Sequence, residues 1–292
     1  MDCVITLSSA APLDPGLAAR VVETVRAVRA DRLGDTAMDV HAPGEAPAVR
    51  AQVAPLLADH AVDSIVQPAA TRAKRLLMSD MDSTLIGQEC IDELAAVTGK
   101  KAEVAAITER AMAGELDFAD ALRARVAVLA GIPEAAVAEL LERVITPNPG
   151  AADLIARCRA AGVRTVLVSG GFTLFAQPVA ERLGMDAAFA NTLEVESGML
   201  TGRVTEPILG ADAKRERLEA ECTAFGFSLT ETVALGDGAN DVRMIEAAGL
   251  GVAYRAKPAL ARAAHATLDH APLSAVADAM GLPPLAAREV AA

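Results

Sequence analysis

Asp80 and Asp82 are two carboxylates spaced two residues apart, and Ser83 and Thr84 follow at once. They are delivered by the apolar run Leu76-Leu77-Met78. On a continuous strand both acids would face one side, and a buried pair of like charges is costly without a cation. At the carboxyl end of a parallel strand the same pair offers a nucleophile, a proton donor and oxygen ligands for a divalent metal within one turn. The segment alone is equally consistent with a strand running into an Asp/Ser/Thr turn.

Further along, three more polar clusters stand where strands give way to loops or helices begin. Ser169-Gly170-Gly171 follows the apolar run Thr165–Val168, and Gly236-Asp237-Gly238-Ala239-Asn240-Asp241 follows Thr232–Leu235. Lys214 lies in the first turn of a helix expected over Asp212–Phe225. Singly, these read as turns, an Asn/Asp helix cap and a solvated lysine. Together and in this order they point to one rim of a parallel sheet, where strand ends converge.

The elements that must position them are read from periodicity. Residues 1–73 pattern as a small α+β unit: strands at Val4–Leu7, Ala37–His41 and Ser64–Gln67, with helices at Leu17–Val28 and Ala48–Ala58. Asp14-Pro15-Gly16 marks the first helix entry and resembles the strand–turn–helix of ACT domains, so an ACT-like fold is expected there, without ligand binding. Residues 89–145 are helical throughout, with segments at Ile91–Val97, Val104–Met112, Phe118–Leu129 and Glu134–Val144. That is too much for one crossover, and it reads as an inserted helical cap. Residues 74–88 and 146–282 alternate strand and helix, which implies a Rossmann-like parallel α/β core with right-handed crossovers. A hairpin is expected around Glu196-Ser197-Gly198, and residues 283–292 read as a frayed tail.

The formal net charge of −12 argues against a nucleic-acid footprint. No apolar stretch approaches the roughly 20 residues that span a bilayer, and no secretory signal is read, so a cytoplasmic protein with no membrane partner is expected. Cys3, Cys90, Cys158 and Cys222 are too dispersed for a metal pair and read as reduced core residues.

The set Asp80-Met81-Asp82-Ser83-Thr84, Ser169-Gly170-Gly171, Lys214 and Gly236–Asp241 resembles the successive motifs of haloacid-dehalogenase-like phosphatases. The resemblance is strongest to their phosphoserine-hydrolysing branch, and Met112, Gly114, Leu116, Phe118 and Arg125 stand where its cap carries them. It implies an Mg²⁺-dependent phosphoric monoester hydrolase acting on O-phospho-L-serine, the last step of serine biosynthesis. Asp80 would be the nucleophile and Asp82 the general acid and base. Asp80, the Asp82 carbonyl and Asp237 would hold the metal, with Asp241 orienting its shell. Ser169, Gly170, Lys214 and Asn240 would bind phosphate, Glu89 the substrate ammonium and Arg125 its carboxylate, with Thr84, Met112, Phe118 and Gly171 in support. A phosphatase of another small phosphomonoester, and an amino-acid binder with a decayed centre, are the rival readings. A homodimer is left open.

Overall fold

The computed structural model describes residues 2–112 and 115–285. Residues 2–68 build an antiparallel sheet with two helices. Strands β1 (Asp2–Ser8), β2 (Arg29–Arg32), β3 (Ala37–Pro43) and β4 (Asp63–Pro68) lie in the order β2-β3-β1-β4. Helices α1 (Pro15–Thr24) and α2 (Ala46–Leu57) complete a β-α-β-β-α-β sequence. The entry to α1 is as its residues predict: the Asp14 carboxylate accepts from the Leu17 N–H at 2.7 Å, and Pro15 needs no donor at the first position. The expected continuation of α1 to Val28 is wrong. Arg26 adopts a left-handed φ of 51°, and the chain turns there into β2, which the sequence reading missed.

The larger sheet has seven strands in the order β11-β10-β9-β5-β6-β7-β8. They are β5 (Leu76–Ser79), β6 (Arg164–Phe172), β7 (Ala187–Glu196), β8 (Met199–Thr205), β9 (Thr232–Gly236), β10 (Leu250–Tyr254) and β11 (Ala266–Leu268). Every pairing from β11 to β7 is parallel, and β8 is added antiparallel through the hairpin. Central strands covered on both faces read as continuous apolar runs, as β5, β9 and β10 do. Leu77, Leu167 and Leu235 pack into the core on one face, while Leu76, Met78, Val166 and Ala234 pack on the other. Burial of Leu76, Leu77 and Met78 contributes about 1.5–3 kcal/mol each.

Around this sheet lie α7 (Ala151–Ala160), α8 (Thr173–Leu183), α9 (Ala211–Phe225), α10 (Val242–Ala247), α11 (Pro258–Ala263) and α12 (Ser274–Ala279). Strand β11 and helix α12 are too short to carry a period and were not anticipated. No helix of the described residues is long and apolar enough to cross a membrane.

Four helices are inserted between β5 and α7: α3 (Cys90–Val97), α4 (Lys101–Met112), α5 (Phe118–Val128) and α6 (Ala135–Arg143). The two stems of this insert meet where the Asn148 amide donates to the carbonyls of Thr84 at 2.7 Å and Ile86 at 3.0 Å. Its far side is tied to the β7–β8 hairpin: Gly131 N–H donates to the Leu200 carbonyl at 2.8 Å, and Leu200 N–H to the Ile132 carbonyl at 2.9 Å. Gly202, at φ 80°, lets the backbones close up there, because a Cβ would stand 2.9 Å from the Ala130 methyl. The hairpin therefore braces the insert, a role its sequence did not disclose.

The antiparallel sheet is fastened to the core by backbone capping. The Asp63 carboxylate accepts from the N–H groups of Asp269, His270 and Ala271 at 3.1, 2.8 and 2.7 Å. Arg72 donates to the carbonyls of Asp278 at 2.8 Å and Ala279 at 3.0 Å. The expected fraying directly after Leu282 is also corrected, since the buried Arg157 donates to the Pro283 carbonyl at 3.1 Å. The rest of that tail, residues 286–292, lies outside the described residues.

Candidate active site

Ser79 of β5 is in register with Leu235 of β9 on one side and Leu167 of β6 on the other. Residues just beyond these positions must share a rim: Asp80, Ser169–Gly171 and Asp237 stand together there. Strand order reverses between β5 and β9, the crevice where open α/β sheets bind ligands.

Asp80 leaves the strand, and its carboxylate is held at both oxygens. Oδ1 accepts from the Met81 N–H at 2.7 Å, and Oδ2 lies 2.7 Å from the Lys214 ammonium. Ser83 takes a left-handed φ of 53°, a strain of about 1–2 kcal/mol for a residue with a Cβ. The strand has already ended at Ser79, so the two acids do not lie along one continuous strand, and the turn at Ser83 folds the following chain back, its N–H donating to the Gln88 carbonyl at 3.3 Å. Asp82 Oδ1 accepts from the Cys90 N–H at 3.2 Å. Its other oxygen lies against Gly171, where a Cβ would approach to 2.9 Å. Burial, then the charge of Glu89, pushes the Asp82 carboxyl up to about 8.

Lys214 is wholly buried and bridges Asp80 and Asp241, reaching the latter at 2.6 Å. Burial pulls its amine down, but the two carboxylates outweigh that and hold it above the ordinary lysine range. For Asp241, burial and the Asp80 charge push the carboxyl up. Its geometry is that of an ionised group: Oδ1 accepts a hydrogen bond from the Lys214 ammonium, and Oδ2 accepts from the N–H groups of Asp237 and Gly238, each at 3.2 Å. Asp237 has burial and Asp80 against it, and its carboxyl is pushed up to about 6.

Asp80, Asp237 and Asp241 each offer a carboxylate oxygen, all within 4.8 Å of one another. Such a crowd of hard oxygens fits a divalent cation, which would relieve the repulsion that raises Asp237. Asp80 and Asp237 line the cavity, whereas Asp241 is wholly buried behind it, which suits Asp241 to an orienting role better than to direct ligation.

A cavity of about 470 Å³ opens over this rim, roofed by the helical insert. Asp80, Asp82, Asp237, Asn240, Ser169, Gly170 and Gly171 line its floor; Glu89, Phe118 and Arg125 line it from the insert. Ser169 Oγ accepts from the Gly171 N–H at 2.9 Å. Phe118 packs over the end of β6 and the start of α9, where a Cβ at Gly170 or Gly210 would stand 3.3 Å from its ring; β6 thus runs on through Ser169-Gly170-Gly171, which the sequence places in a loop. Arg125 is half-buried; burial lowers its guanidinium, while Asp92 and Glu89 pull the other way. Glu89 is exposed and accepts from the Ser83 hydroxyl at 2.7 Å.

One expectation fits less well. The Thr84 hydroxyl is buried with no hydrogen-bond partner among the described residues, so Thr84 acts through its carbonyl on Asn148 instead. The Met112 side chain and Gly114 lie outside the described residues. The sequence reading also missed Lys257, which lines the cavity 3.7 Å from Asp237 Oδ2. It follows the end of β10, so the strand-end reasoning used for Asp237 would have found it.

Residues 77–246 match the family model of haloacid dehalogenase-like hydrolases. A phosphoserine phosphatase of Albidiferax ferrireducens is 46% identical over 200 residues, covering 67% of this chain and 84% of the relative. Among solved structures, a HAD family hydrolase from Salmonella enterica serovar Typhi superposes with TM-score 0.86 at 29% identity, covering 96% of this chain and 98% of its own. A substrate-bound phosphoserine phosphatase complex superposes with TM-score 0.65 at 41% identity over 70% of this chain and 97% of its own.

Proposed function

The chain belongs to the haloacid dehalogenase-like hydrolases, and from that premise we propose that it hydrolyses O-phospho-L-serine to L-serine and phosphate, ending serine biosynthesis. The observation that carries this is the single cavity in which Asp80, Asp82 and Asp237 meet Glu89 and Arg125. A phosphate monoester alone needs only the first three. The opposite charges of Glu89 and Arg125 fit the ammonium and carboxylate of an amino-acid substrate.

Asp80 attacks phosphorus in line, forming an aspartyl phosphate as the ester P–O bond breaks. Lys214 and the Met81 N–H hold the attacking carboxylate in one orientation. Asp82 carries a proton because burial and Glu89 disfavour its charge, and it gives that proton to the departing serine oxygen. The resulting carboxylate then removes a proton from water, whose oxygen displaces Asp80 from phosphorus and regenerates both acids. Ser169 and the Gly170 N–H are the donors for phosphoryl oxygens, with Lys214 and Asn240. Mg²⁺ would be held by Asp80, the Asp82 carbonyl and Asp237, oriented by Asp241, and supplies charge neutralisation for the phosphoryl group. Phe118 closes the roof and excludes water.

Residues 74–88 and 146–282 are the catalytic core in this reading, 89–145 its cap, and 1–73 an ACT-like unit, for which the β-α-β-β-α-β order is the support. Phosphate release from phosphoserine, with and without Mg²⁺, tests the proposal. Wild-type protein should turn over only with the metal, and Asp80→Asn should form no hydroxylamine-labile phosphoenzyme. Equal turnover of phosphothreonine and sugar phosphates would defeat the substrate assignment.

A further inference from the structure

Lys257 reaches the site from a segment with no catalytic motif. Its backbone is pinned on both sides: the N–H donates to the Asp237 carbonyl at 2.9 Å, and its own carbonyl accepts from Leu260 and Ala261 at 3.1 Å each. The side chain is 65% exposed, with its ammonium 3.7 Å from Asp237 Oδ2. That separation is an electrostatic contact too long for a hydrogen bond. A fixed backbone thus carries an exposed charge on the cavity lining.

The cavity is short of positive charge. Its described ionisable lining comprises Asp80, Asp82, Glu89 and Asp237 against Arg125 and Lys257. Lys214 does not line the cavity and places two of its three ammonium protons on Asp80 and Asp241. A phosphoserine brings about 1.5–2 negative charges at neutral pH, into a chain whose formal net charge is −12.

We propose that Lys257 is a positioning and steering residue of the reaction described above, on which reading this inference rests. Its ammonium lies near enough to Asp237 to compete electrostatically with a divalent cation for that carboxylate. When a cation takes that carboxylate, the same ammonium faces the incoming phosphate. The two roles have opposite signs. Removing the charge removes a rival for Asp237, so cation binding to the substrate-free protein tightens. It also removes an attractor for phosphate, so substrate capture weakens. A lysine with a purely structural role would not separate the two.

The test uses the full chain with Lys257→Met and Lys257→Arg. Titration calorimetry with Mg²⁺ alone should show Lys257→Met binding about two- to fivefold tighter than wild type, the scale of an exposed ion pair. With Mg²⁺ saturating, its KM for phosphoserine should rise about fivefold with kcat within about twofold, and added salt should affect it less than wild type. Lys257→Arg should stay near wild type in both measurements. Unchanged or weaker Mg²⁺ binding by Lys257→Met, or a loss confined to kcat, would overturn the proposal. The calorimetry reads out even if phosphoserine is not the substrate, so failure of that assignment is seen separately in wild-type turnover.

Discussion

The Lys214 ammonium and the Asp241 carboxylate, 27 residues apart in sequence, lie 2.6 Å apart and are both wholly buried. They form the post to which Asp80 is tied from one side and the Asp237–Gly238 backbone from the other. Breaking a buried pair by removing one partner costs about 3–5 kcal/mol, because the remaining charge keeps its desolvation penalty. Lys214→Met is therefore expected to lower unfolding stability by about that amount in denaturant titrations, besides abolishing turnover. A loss below about 1 kcal/mol would mean that the pair contributes no more than a surface contact.

Asp82 sets the expected pH behaviour. Burial and Glu89 raise its carboxyl to about 8 in the folded chain, against about 3.9 unfolded. The folded state thus holds a proton that the unfolded chain has released, so the stability from Asp82 is full below about pH 4 and is lost as pH rises through about 8. Asp82→Asn, which needs no proton, should gain thermal stability relative to wild type progressively across that interval in metal-free buffer. Phosphoserine turnover by wild type should fall on the alkaline side as the donor ionises. A stability difference independent of pH would show that Asp82 is already ionised.

Gly171 has no room for a side chain on its inner face, where a Cβ would stand 2.9 Å from Asp82 Oδ2 and 3.1 Å from Ser169 Oγ. The nearest obstacle is the end of a flexible carboxylate, so Gly171→Ala should fold and displace Asp82 instead. The expected outcome is a drop in kcat of about 10²-fold, the scale of a misplaced catalytic group, with a melting temperature close to wild type. A melting temperature far below wild type would instead locate the clash in the backbone.

Arg125 lies on the insert, across the cavity from the β5 rim. Arg125→Ala should raise KM for phosphoserine while leaving hydrolysis of an aryl phosphate within about threefold, since only the former carries a carboxylate for its fork. Equal losses on both substrates would move Arg125 out of amino-acid recognition.

The central strands β5 and β9 were legible because short apolar runs meet Ser, Asp or Gly at their ends. By contrast, β6 runs on through Ser169–Gly171 to Phe172, and β7 begins at Ala187 in an alanine-rich stretch with little strand preference. The four helices of the insert were legible from period and punctuation. β2 escaped because Arg29-Ala30-Asp31-Arg32 is a mostly exposed edge strand, held by its backbone on β3 without an apolar face. The α1 extension failed for the converse reason: Val25 and Val28 continue a helical spacing, but Arg26 turns the chain and Val28 is left 75% exposed.

Residue order alone determined which carboxylates, hydroxyls and glycines end the strands, because strand ends are encoded locally by apolar runs meeting polar turns. Only the packed chain decided which oxygens remain available. Asp241 is buried behind the cavity that Asp80 and Asp237 line, the Thr84 hydroxyl has no partner among the described residues, and Lys257 arrives beside Asp237. Those outcomes depend on register between strands brought together from distant parts of the chain, and on a left-handed turn at Ser83. Neither leaves a trace in the spacing of neighbours.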